Sequence, residues 1–261
     1  MAEALSEIHR GEEFKGGDPY IAFQDCKIRC VEHEFGDSFD GMLRYRRRRF
    51  YVFLDTSPTR TPGRQRFTAA HEFGHFSIEH HNEGVRNGTM VHASVTGFVS
   101  KQSHEREADT FAAHFLMPTT ELLRCCRNAK QYWSAQEIFN VSSTFGTSLV
   151  SSARRCVQGL PGDSLLIVWR GQNVHWTIGG GDWERNAGVW RVKSTAELIP
   201  ESATAQAFSR PPPAGQFTQG TSTLAYWTRM ISPASYHDKI VAEYAISRGS
   251  YGLLTLLRPV D

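Results

Sequence analysis

The sequence predicts an α+β fold in two parts, an α+β domain over about residues 1–160 and a β-rich domain over residues 161–261. Three observations point there. A run of aromatic and β-branched residues, Met42–Leu54, is strand-like. Apolar residues then recur at helical spacing through residues 65–81, and a second helical stretch runs from Ser103 to Leu116. The composition shifts after the Leu160-Pro161-Gly162-Asp163 break, with five of the six tryptophans lying beyond it. A chain of 261 residues can bury a core in each of two modest domains.

Taken in order, the first forty residues hold one short apolar piece, Tyr20–Phe23, and no strong period. Met42–Leu54 reads as a single strand ending at Asp55-Thr56-Ser57-Pro58, and Thr59–Arg66, with Pro62 and Gly63, reads as a loop. Phe67, Ala70, Gly74 and Ile78 form the buried stripe of a helix over 65–81, with exit signals through Asn87 and Gly84 suited to the end. Thr89–Ser100 is expected to be a short extended piece. The helix Ser103–Leu116 takes Ser103 as N-cap and stops before Pro118. Further helices are expected around 119–131, 134–139 and 143–158. Trp169, Trp176, Trp183 and Trp190 are spaced by seven, but interspersed glycines exclude one long helix, so LLIVWRGQNVHWTIGG reads as strands joined by a tight turn. Residues 201–223, with Pro211-Pro212-Pro213, read as a long loop. Residues 224–231 read as helix or strand, and 239–257 as a closing strand pair.

Composition excludes several classes. Hydrophobic residues at 40% and charged residues at 21% are ordinary for a globular protein. A net charge of +2 singles out no nucleic-acid or membrane partner. No apolar run approaches the roughly 18 residues of a spanning helix, and the acidic N-terminus lacks a leader's apolar core, so a cytoplasmic location is expected. The five cysteines are odd in number and lack any C-x-x-C pair, which suggests reduced thiols. Cys26 and Cys30 could share a helical face as half a metal site, but no second pair completes it.

The chemistry sits in His71-Glu72-Phe73-Gly74-His75. Residues four apart share a helix face, so both imidazoles can aim at one metal ion. Glu72, rotated by about 100°, can reach a water there and take its proton without ligating the metal. Zinc is the expected metal; Mn²⁺ or Fe²⁺ also suit two imidazoles and a carboxylate. A third ligand is found on the second helix, where Glu105 and Asp109 share a face. Glu105 can close the site while Asp109 hydrogen-bonds a ligand imidazole from behind. Glu107 points elsewhere and reads as solvated. A rival third ligand is His81, ten residues after His71. That longer motif wants glycine where Ile78 stands, so His80 and His81 read instead as a polar helix end.

The stretches RQRFTAAHEFGHFSIEHH, EREADTFAAHFLMP and FNVSSTFGTSLVSSARRC together resemble the ImmA/IrrE metallopeptidases over about residues 40–158. Phe115 replaces the leucine usual in the second stretch. The resemblance implies a gluzincin-like fold, with His71, His75 and Glu105 as ligands and Glu72 as general base. It also implies a protein substrate, a helix-turn-helix repressor cut to relieve repression under stress or in a mobile element. The alternative is a non-catalytic, metal-containing regulatory protein whose C-terminal domain senses a ligand or partner. The intact Glu72 argues against it, because a closed structural site needs no base. Arg44 and Arg46 through Arg49 put positive charge on both faces of the expected strand. Arg46 and Arg48 are therefore candidate substrate contacts beside the cleft, against the plainer reading of a solvated edge that discourages aggregation. Direct DNA binding through these arginines is a third, weaker option.

Overall fold

A computed structural model of the chain describes residues 1–36, 39–90, 102–126, 133–159, 162–181, 183, 192, 197–198, 200–228 and 239–260. It is a mixed α+β protein with two sheets and two compact units. One unit comprises Met1–Leu122 with Ser142–Ser148, the other Leu123–Val141 with Leu149–Asp261.

The first unit opens with two helices that the sequence reading left unassigned, α1 (Ala2–Ile8) and α2 (Pro19–Asp25). The signal for α2 was present. Asp18 caps it by accepting from the Tyr20 and Ile21 N–H groups, and Pro19 presets the first turn. Strand β1 (Arg29–His33) follows, so Cys26 lies just past a helix and Cys30 on a strand, and the shared helical face does not exist. None of the five cysteines is in a disulfide.

Met42–Leu54 is not one strand. It is a hairpin of β2 (Gly41–Arg46) and β3 (Arg49–Asp55), paired antiparallel with Arg46 opposite Arg49. Arg47 and Arg48 form its two-residue turn at φ 50° and 63°. Such turns require positive φ at both central residues and usually advertise themselves with Asn-Gly, which explains why the arginine run concealed this one. Sheet order is β1-β3-β2, with β1 parallel to β3.

Helix α3 (Pro62–Ser77) begins inside the expected loop, because Pro62 occupies its first turn after Thr61. It ends at Ile78, earlier than expected, and α4 (Glu79–Asn87) starts from the same residue. Ile78 makes this turn in an extended conformation (φ −78°, ψ 118°), which suits a β-branched residue and needs no glycine. Helix α5 (Ser103–Leu116) matches the expected span, with Gln102 rather than Ser103 as N-cap. The core gathers Phe23, Phe73, Phe111 and Phe115 in a chain of edge-on and tilted rings between α2, α3 and α5. The extended piece expected at Thr89–Ser100 lies mostly outside the described residues.

Helix α6 (Thr119–Cys125) is followed by α7 (Ala135–Phe145) and α8 (Leu149–Gly159). The interruption expected between 139 and 143 is absent. The break falls at Gly146 (φ 60°), where Ser142 Oγ donates to the Thr147 carbonyl at 2.7 Å. The second unit is built on a five-stranded antiparallel sheet in the order β5-β4-β8-β7-β6, comprising β4 (Ser164–Arg170), β5 (Asn173–Gly180), β6 (Phe217–Thr223), β7 (Ile240–Ser247) and β8 (Leu253–Pro259). The β4–β5 hairpin and the closing β7–β8 pair match expectation. The long loop expected at 201–223 instead holds a helix, Ala203–Ser209, capped by Ser202 Oγ on the Ala205 N–H, and β6. Small buried faces at Ala203, Thr204 and Ala207 gave no periodic apolar signal. Of the spaced tryptophans, Trp169 and Trp183 join Trp227 in the core and Trp176 is half-buried; Trp190 lies outside the described residues.

Candidate metal centre

His71, Glu72 and His75 lie in the most buried stretch of α3, at 2%, 0% and 0% exposure. Glycine at position 74 lets α5 come close. A methyl there would meet the Phe111 ring at 3.0 Å, and that approach brings Glu105 and Asp109, nearer the start of α5, to the imidazoles. His71 Nε2 and His75 Nε2 are 3.0 Å apart. Glu105 reaches His71 Nε2 with Oε2 at 3.4 Å and His75 Nε2 with Oε1 at 3.5 Å. Bonds of about 2.0–2.2 Å to a tetrahedral ion separate its ligand atoms by roughly 3.3–3.6 Å. The two carboxylate–imidazole distances fall in that range and the imidazole–imidazole distance lies slightly below it, and the three residues form a candidate metal-binding group.

Asp109 Oδ1 lies 2.9 Å from His71 Nδ1. With Nδ1–H donating to that carboxylate, Nε2 keeps its lone pair for the ion. Burial acts to lower the His71 pKa, but hydrogen bonds to Asp109 and Glu105 and the charge of Glu72 outweigh it and push the imidazole up to about 10. Burial likewise acts to raise Glu105, but its bonds to His71 and His75 prevail and hold the carboxyl well below the usual range. Protons and a divalent cation therefore compete for the same atoms.

Glu72 faces the start of β2. A methyl at Gly41 would stand 2.9 Å from Glu72 Oε1 and would press on the Thr68 methyl, so glycine here leaves room for the carboxylate. Arg46 is the last residue of strand β2 and Arg48 lies in the hairpin turn, both exposed. Five residues of strand place Arg46 about 16 Å from Gly41.

His81 differs most from expectation. Because the chain turns at Ile78, His81 is carried inward to 0% exposure, its ring 4.9 Å from that of His75. Its Nε2 faces Glu107 Oε2 at 3.5 Å, and as a candidate donor it groups with His80 and Glu107 rather than with His71 and His75. Burial, then the neighbouring His80, holds the His81 imidazole down at about 4. The sequence offered only the His80-His81 pair as a hint, and nothing local marked one of the two as interior.

The IrrE N-terminal-like domain, Peptidase_M78, matches residues 23–157. Comparison with curated proteins finds no match. A Mycobacterium tuberculosis transcriptional regulator has a similar fold, with a TM-score of 0.62 at 14% identity, covering 99% of this chain and 75% of that one. The family match spans more than half of the sequence and encloses α3 and α5, so the chain belongs to the IrrE N-terminal-like family of peptidases.

Proposed function

We propose that this chain is a gluzincin-like, zinc-dependent endopeptidase that cleaves a separate DNA-binding repressor, with peptidase residues within 1–160. The observation that carries the reading is the convergence of His71, His75 and Glu105 around one point, with Asp109 behind His71 and Glu72 one residue along the same helix. A divalent ion held there supplies Lewis acidity, lowering the pKa of a water and polarising a carbonyl. Glu72 accepts a proton from the attacking water and passes it to the leaving amine. Asp109 fixes the His71 tautomer and orientation. Strand β2, at the sheet edge with Gly41 against Glu72, suits an extended substrate added as a further strand. Arg46 and Arg48 then meet only substrate residues distant from the scissile bond. The regulator-like fold of the mycobacterial protein favours a role in transcription.

The test is to incubate the purified protein with a helix-turn-helix repressor encoded beside it, with and without a chelator. Cleavage that the chelator stops, and that Glu72→Gln abolishes while metal content is kept, supports the reading. Regulation left unchanged in Glu72→Gln would point to the non-catalytic alternative.

A further inference from the structure

We propose that His80, His81 and Glu107 form a second divalent-cation site, of the two-imidazole, one-carboxylate class that takes Zn²⁺ and its neighbours in the first transition series. His80 Nε2 and His81 Nε2 both face one atom, Glu107 Oε2, at 3.1 and 3.5 Å. The donors of all three residues lie within 4.8 Å of one another. The 3.5 Å separation is too long for a good hydrogen bond but is an ordinary ligand-to-ligand edge around a tetrahedral ion.

The decisive residue is His81. It is completely buried, yet among the described residues neither ring nitrogen makes a hydrogen bond. Buried polar groups are nearly always satisfied, and an interior imidazole without a hydrogen bond calls for an explanation. An ion on Nε2 supplies one. A hydrogen-bonded surface pair of His80 and Glu107 would account for those two exposed residues but would leave His81 unexplained.

The arrangement also sets the strength and access of the site. His80 and His81 stand in the first turn of α4, whose N-terminus disfavours a cation, with Glu79 as a partial offset. The His75 and His81 rings are 4.9 Å apart, so a cation on one ligand set repels a cation on the other. Both effects make this the weaker of two sites. The His80 and Glu107 side chains are 65% and 46% exposed, which gives an ion access from solvent.

The test is a calorimetric titration of chelator-stripped full-length protein with Zn²⁺ alone, with bound metal counted independently. The wild type is expected to take two ions per chain. Glu107→Gln and His80→Ala, both at exposed positions, should each weaken the second by at least about tenfold and leave the first within about twofold. His71→Ala should lose the tighter ion and keep the weaker. One ion per chain in the wild type, lost in His71→Ala, overturns the second site and leaves the first intact. A second ion whose affinity is unchanged in both Glu107→Gln and His80→Ala overturns it too. An ion that survives His71→Ala but not Glu107→Gln supports it even if the peptidase reading fails.

Discussion

Gly41 gives the sharpest test of how the strand positions the base. In Gly41→Ala the new methyl lies 2.9 Å from Glu72 Oε1 and 3.1 Å from its Cγ, and against the Thr68 methyl. Thr68 and Glu72 are 2% and 0% exposed, one turn apart on the same face of α3, so neither can swing into solvent. Overpacking of this kind costs about 1–3 kcal/mol. Replacing glycine by alanine also lowers the entropy of the unfolded chain, which offsets about 0.4–1 kcal/mol. The net loss is about 1–2 kcal/mol, seen as a fall in Tm of roughly 3–6 °C. Catalysis should suffer more than folding, because displacing a catalytic group by about 1 Å costs on the order of 100-fold in rate. The assay pairs thermal unfolding and metal content with the cleavage rate. Metal content should be unchanged, since His71, His75 and Glu105 are not among the atoms the methyl meets. Adding Thr68→Ser removes the other clashing methyl, and the double variant should recover part of the lost stability. If Gly41→Ala keeps both the wild-type Tm and the wild-type rate, Glu72 does not rest against β2 and the argument fails.

Asp109→Asn should weaken metal binding about 10–100-fold with little change in fold, read by competition with a chromogenic chelator; unchanged affinity would mean that the 2.9 Å contact to His71 does not tune the site. In the hairpin turn, Arg47→Asn with Arg48→Gly should stabilise by about 1–2 kcal/mol in urea unfolding, since both arginines hold positive φ; a loss of stability would show that the turn is not of this type. Glu3 accepts hydrogen bonds from the Thr119 N–H, the Thr119 hydroxyl and His114, tying α1 to the α5–α6 corner. Partial burial acts to raise its pKa, but those bonds prevail and bring it down to about 2 from the ordinary 4.5. A depressed carboxyl stabilises fully above pH 4.5, and that contribution disappears as pH falls towards 2. The Tm gap between wild type and Glu3→Gln should therefore be constant above about pH 5 and close near pH 2; a gap that persists at pH 2 refutes the assignment.

Periodicities within one element are local, and the sequence by itself determined those. His71 and His75 share a helix face because they are four apart, and so do Glu105 and Asp109; the candidate centre is the meeting of these two pairs. The β4–β5 and β7–β8 hairpins were readable for the same reason. Tertiary structure decided everything that depends on which surfaces approach. The Gly74–Phe111 contact sets the spacing of α3 and α5, and with it the reach of Glu105. The turn at Ile78 sends His81 into the interior, although its neighbour His80 remains exposed. The hairpin at Arg47-Arg48 forms where strand pairing outweighs the cost of positive φ, against the local preference of arginine. A residue's spacing is written in the chain, but its partners across the fold are chosen by packing, which no stretch of sequence contains alone.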